Sequence, residues 1–236
     1  MPEMMTIVIL FHQSNDRAFK HFYGYVTKYL VKEFPNLMST SRFVYLKKNL
    51  FVPLFAYLLE KRGEITGIAF IDFPSIDVCH NKRIKRNKVF KGLAKRGKTT
   101  SGWFFGFKLP LMINEKGEIL AFQLTSGNVA DVTIAETLSK GIFEKLFGDK
   151  GYISKELSKR LLKQGLELFT TLRSNRKQNL MKLTDKILLR KRAIIETVND
   201  QLKNISQIEQ SRHRNAGNFL IEAILDDAKL KDVQFG

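Results

Sequence analysis

Two aspartates close short apolar runs. Asp72 stands near the end of GIAFIDF (Gly67 to Phe73), and Asp149 ends KLFGD (Lys145 to Asp149). Each run reads as a buried central strand, and open α/β sheets place their ligand sites at the carboxyl ends of such strands. An acid there is costly to bury unless it is paired or bound to a metal. A third acid, Glu196, lies in RKRAIIETVNDQLKNI (Arg190 to Ile205), which reads as one helix. At about 100° per residue, Arg192 falls roughly 40° and Lys203 roughly 20° to the same side of Glu196. Ile195, Val198, Leu202 and Ile205 form a separate apolar arc, so a helix packed through that stripe presents Arg192, Glu196 and Lys203 together. Three such acids supply the oxygen donors Mg²⁺ takes, and a pair of ions would serve both the attacking and the leaving oxygen in phosphodiester chemistry.

Plainer roles stand beside this one. The three charged helix residues could form a solvated face, Asp72 could end a strand, and Asp149 could sit in a turn before Gly151. Asp77, Glu118 and Asp131 are further carboxylates that could take a place in the set, although a helix N-cap explains Asp131 more simply. Cys79-His80 lacks a second Cys/His pair at ligand spacing, which argues against zinc. His213, within SRHR, suits a phosphate-contacting or structural patch better than a general base, and there is no Gly-rich phosphate loop.

The 236 residues carry 40 Lys+Arg against 23 Asp+Glu, a net charge of +17. That balance favours a polyanionic partner, nucleic acid first and an anionic membrane surface second. The charge is concentrated: His80 to Lys98 holds nine Lys/Arg and no carboxylate. Lys82, Arg83, Lys85, Arg86, Lys88, Arg96 and Lys98 are the candidate phosphate contacts in this run, with Arg192 and Lys203 on the later helix. Trp103 beside it could stack on an unpaired base, while core packing suits at least two of Trp103, Phe104 and Phe105. A single cysteine excludes an intramolecular disulfide framework. No apolar run approaches a membrane span and no signal-peptide pattern opens the chain, so a soluble, cytoplasmic protein without a membrane partner is expected.

The elements that must position these residues follow from periodicity. Residues 1 to about 62 read as helical, with Ser14 or Asn15 capping a helix over Asp16 to Lys32, Ser39 to Ser41 capping another, and Pro53 marking a kink or break. After the first strand, Trp103 to Asn114 and Glu118 to Thr125 read as strands joined at Glu115-Lys116-Gly117, with Gly at the positive-φ position. Asp131 opens a helical stretch to Phe143, Ser154 caps a helix through Gln164, Gly165 stops it, and Leu166 to Leu172 is a last strand. The order is helices, then β, β-hairpin, α, β, α, β, α. It predicts an α/β domain with a mixed sheet, an antiparallel hairpin at one side and parallel strands linked by helices.

The strings FIDF, VCHNKRI, KVFKGLAKRGKTTSGWFFGFKL, LTSGNVAD, KLFGDKGYIS and RKRAIIETVNDQLKNISQIEQSRHR closely resemble bacterial DDE-type insertion-sequence transposases, specifically the group named after insertion sequence 982. FHQSNDRAFKHFY, FPNLMSTSRFV and PLFAYL extend the likeness from roughly Met5 to Asn218. The resemblance implies a ribonuclease-H-like mixed β-sheet flanked by helices, over residues 63–225. A small helical region for DNA contact or dimerisation (1–62) precedes it and a tail (226–236) follows. It maps the acidic triad to Asp72, Asp149 and Glu196, and matches Arg192 and Lys203 to the basic residues flanking the Glu. It further implies metal-dependent cleavage and strand transfer at the ends of an insertion sequence, with Mg²⁺ (Mn²⁺ as substitute), two ions and no small-molecule cofactor. The partners would be double-stranded transposon ends and target DNA, bound by a homo-oligomer at the bacterial nucleoid. The alternatives are a nuclease on the same fold and a non-catalytic DNA-binding relic. Two departures stand out: Phe73-Pro74 after the first acid, where the family has Ser-Thr, and Pro110 in KLPL, where it has His.

Overall fold

The computed structural model describes residues 1–14, 16, 18–100, 102–149, 154–170 and 182–200. By internal contacts the chain divides into two compact units, with the boundary between Lys61 and Arg62.

The first unit is helical: α1 (Pro2–Gln13), α2 (Phe19–Tyr29), α3 (Thr40–Leu46) and α4 (Phe51–Glu60), with a 3₁₀ turn, Lys47–Leu50, before the last. Its centre is aromatic. Phe19 packs on Phe22, Tyr23 and Phe43 with ring centroids 6.5, 5.5 and 5.1 Å apart. Ser39 caps α3, its Oγ accepting from the Arg42 N–H at 3.3 Å. Ser14 does not begin α2; it ends α1, its Oγ donating to the Phe11 carbonyl, and α2 starts at Phe19 after Ala18. Pro53 causes no break, because it falls in the first turn of α4, where its missing N–H has no intrahelical partner to lose.

The second unit is built on a five-stranded sheet with the order β6-β5-β1-β8-β9. Its strands are β1 (Ile68–Asp72), β5 (Leu111–Asn114), β6 (Ile119–Phe122), β8 (Glu144–Gly148) and β9 (Leu166–Thr170). β1 runs antiparallel to β5 and parallel to β8, and β8 runs parallel to β9. This is a ribonuclease-H-like mixed sheet flanked by helices. Alternation decides which face each strand residue meets. Ala69 and Ile71 of β1 and Leu146 of β8 join one buried cluster with α5 (Asp131–Leu138) and α6 (Lys155–Lys163). Phe70, Phe147 and Phe169 point the other way, their rings packed in sequence at 5.6 and 5.0 Å. The β5-β6 turn is the expected one: Gly117 has φ 86°, and Asn114 Oδ1 accepts from the N–H groups of Lys116 and Glu118.

A second sheet, β2 (Ser75–Asp77), β4 (Gly102–Lys108) and β3 (Lys95–Thr99), with the short β7 (Thr125–Ser126) also on β4, extends the first. The long run Trp103 to Asn114 is therefore two strands, β4 and β5, divided at Leu109-Pro110, and the basic segment contributes a strand, β3, that its lack of an apolar pattern hid. The pairings show why the division falls there. Asp72 opposes Leu111 and Ser75 opposes Lys108, one unbroken register that sets Phe73 against Pro110 and Pro74 against Leu109. The Leu109 N–H still donates to the Pro74 carbonyl at 2.9 Å, and the Pro110 carbonyl accepts from Gln123 at 3.0 Å. Each proline lacks a donor at the joint, where the ladder thins. Gly106 is required nearby, since a Cβ there would run into the Ile76 carbonyl oxygen.

Candidate active site

Asp72 is the last residue of β1, and Asp149 directly follows the last residue of β8. Phe70 is paired with Phe147 across these two parallel strands, and each aspartate lies two residues further along the chain, Asp72 still within β1 and Asp149 just beyond the end of β8. α8 (Ala193–Asp200) packs on β1, buries Ile195 and Val198, and brings Asn199 against Asp72. Burying each of these side chains contributes about 1.5–3 kcal/mol, and that seats the helix with Glu196 on another stripe. The strand-end positions of both aspartates and the Ile195–Val198 part of the apolar stripe were legible in the sequence; Leu202 and Ile205 lie outside the described residues.

The helix itself differs from expectation. A break at Arg192 separates α7 (Leu183–Lys191) from α8, and the Ile195 N–H bonds three residues back to the Arg192 carbonyl. No Gly or Pro marks this break in RKRAII, so pattern alone could not show it. α7 is tied to the sheet through Asp185, 4% exposed, which accepts from Lys145 Nζ of β8 at 2.5 Å.

A cleft of about 440 Å³ opens beside β1, lined by Asp72, Asp77, Glu196, Asn199 and Asp200 among others. Asp77 was a spare candidate in the sequence; Asn199 and Asp200 were not singled out, although both stand within four residues of Glu196 on the same helix. Asn199 Nδ2 donates to Asp72 Oδ2 at 2.5 Å. Arg192 donates to Glu196 Oε1 at 2.6 Å; the Arg side chain is 16% and the Glu side chain 60% exposed. Asp149 stands apart from the cleft lining. Among the described residues no three His, Cys, Asp or Glu side chains gather closely enough to hold a metal ion. The donor types in and beside the cleft, hard carboxylate and amide oxygens, fit Mg²⁺. Here Asp72 is engaged by Asn199, and Glu196 by Arg192.

Other candidates have structural employment. Asp131 does not cap α5 but accepts from the buried Lys108 Nζ at 2.6 Å, and Glu118 accepts from Asn114 Nδ2 at 2.6 Å. His80 caps the 3₁₀ turn Asn81–Arg86, its Nδ1 accepting from the Lys82 N–H. Lys82, Arg83, Lys85, Arg86, Lys88, Arg96 and Lys98 are all exposed. Trp103, also on the cleft wall, is 54% exposed with the Arg96 guanidinium 4.7 Å from its ring centroid, whereas Phe104 and Phe105 are buried. Lys203, His213 and the tail 226–236 lie outside the described residues.

Comparison with known proteins bears on this arrangement. Comparison with curated proteins finds no match. Among solved structures, the chain resembles a piggyBac transposase in a cryo-EM synaptic complex with hairpin DNA. The TM-score is 0.52 at 11% identity over 98% of this chain, a likeness of fold. The chain spans 65% of that protein's length. The family model described as a transposase DDE domain matches residues 62–216, most of the chain and all three candidate acids. On that match, the chain belongs to the DDE transposase domain family.

Proposed function

We propose that this chain is a transposase of the group named after insertion sequence 982, cutting DNA at the ends of its element and joining the freed 3′-hydroxyl to target DNA. One observation carries the reading: Asp72, at the end of β1, shares a cleft with Glu196 of α8, and Asp149 directly follows the neighbouring parallel strand β8. Asp72, Asp149 and Glu196 would hold two Mg²⁺ or Mn²⁺ ions. When bound, such ions activate the attacking oxygen and stabilise the leaving one. For this the Asn199–Asp72 and Arg192–Glu196 contacts must yield, and Arg192, released from Glu196, is then free to take a phosphate in bidentate fashion with Lys203 beside it. The exposed cations from Lys82 to Lys98 neutralise the DNA backbone and make binding salt-dependent. Trp103, at the meeting of that basic strand and the cleft, is placed to stack on an unpaired base. The DNA in the piggyBac complex supports DNA as partner, and pairing two element ends calls for at least a dimer.

A second reading, a DNA-binding relic that no longer cuts, draws on the same engaged acids. One assay separates them: purified protein, labelled terminal-repeat DNA and target DNA, with Mg²⁺, Mn²⁺ or EDTA. Metal-dependent joined products support a transposase; cuts without joining indicate a nuclease; binding alone indicates a relic.

A further inference from the structure

Among the described residues, Asn199 is the one amide on a wall rich in acids. It is 8% exposed, its Nδ2 is spent on Asp72, and its Oδ1 is buried without a hydrogen-bond partner among the described residues. A buried acceptor left unmatched is costly, and native structures rarely keep one without a reason. The side chains lining the cleft include Asp72, Asp77, Glu196 and Asp200 and, among the described residues, no Lys, Arg or His. What is missing beside an orphan oxygen in such surroundings is positive charge.

We propose that Asn199 is a ligand as well as a neighbour of Asp72: its Oδ1 binds the same divalent cation as the Asp72 carboxylate. This rests on the metal-site reading above. The two ends of an amide are nearly the same size, so a half-turn about the last side-chain torsion exchanges donor for acceptor without repacking. Without a cation, Nδ2 faces the carboxylate; with one, Oδ1 does. A neutral oxygen at this position adds a ligand without another negative charge on a wall that already carries four acids. Asn199 lies three residues after Glu196, one helical turn along, so one helix would supply both a charged and a neutral ligand.

The test is Mn²⁺ binding by the full chain without DNA, read by electron paramagnetic resonance, for wild type, Asp72→Asn, Asn199→Ala and Asn199→Asp. The expected result is Mn²⁺ binding that requires Asp72, weakens about tenfold in Asn199→Ala, and equals or exceeds wild type in Asn199→Asp. Asn199→Asp preserves shape, so it answers even where Asn199→Ala disturbs folding. Asp72-dependent binding that is unchanged in Asn199→Ala overturns the ligand role alone. So does Asn199→Asp binding that weakens, which would make Asn199 only a donor that orients Asp72. No Mn²⁺ binding by wild type, or binding indifferent to Asp72→Asn, overturns the metal reading itself and the ligand role with it.

Discussion

Arg192 and Glu196 face each other across one helical turn, and their exposure decides what the pair can do. With Glu196 60% exposed, the ion pair is screened by water and contributes about 0–1 kcal/mol to stability. Arg192→Ala should therefore move the melting temperature by only a few degrees, while slowing cleavage of terminal-repeat DNA at least about tenfold through the lost phosphate contact. A large loss of stability with cleavage intact would make Arg192 a structural residue. Tyr23 shows the opposite balance. It is 1% exposed and its hydroxyl donates to the Met38 carbonyl at 2.6 Å. Burial raises its pKa above the usual value. The unfolded chain then releases this proton first, so the contribution to stability is whole below about pH 10 and fades as pH rises through the folded value. Tyr23→Phe should cost about 1 kcal/mol at neutral pH, and the gap from wild type should close above about pH 10 in denaturant melts. A gap that stays constant would show that the hydroxyl's ionisation is not linked to folding.

At the scale of elements, the helix bearing Glu196 is held at two places, by its own apolar stripe on β1 and by the Asp185–Lys145 pair that ties down α7. Lys145→Met leaves Asp185, 4% exposed, without its cation. Because Lys145 is 30% exposed, the expected loss is about 1–3 kcal/mol, read as a lower denaturation midpoint with an unchanged slope. An unchanged midpoint would show that α7 is seated by other contacts. Strands ending in acids, the Gly117 hairpin and the Ser39 and Ser154 caps were legible because each depends on local chemistry: apolar runs, a positive φ, a side chain reaching two or three residues. The break at Arg192, the β3 strand in a basic segment and the transfer of one strand pair between two sheets were not. Each depends on partners distant in sequence. The prolines illustrate this best. Read in a line, Phe73-Pro74 and Pro110 are separate departures far apart in the chain, whereas the register sets them at the same joint of one antiparallel pair.

For the whole molecule, an acidic cleft in a chain of net charge +17 is the feature that binds site to partner. Exposed cations draw in a polyanion, while a cleft of carboxylates repels phosphate unless cations intervene. This is why the account joins a DNA surface to a metal site, and why the composition pointed to nucleic acid before any fold was assigned. Asp72, Glu196 and Asp149 come from three separate stretches of the chain, so how they stand to one another can be asked only once β1, β8 and α8 are placed. Of the three, Asp149 is the one that does not line the cleft, so its role is the most exposed to test. The decisive measurement compares wild type with Asp149→Asn for binding to terminal-repeat DNA and for its cleavage with Mg²⁺ or Mn²⁺. Unaltered DNA binding with abolished cleavage is expected; cleavage at the wild-type rate would remove Asp149 from the site and contradict the triad.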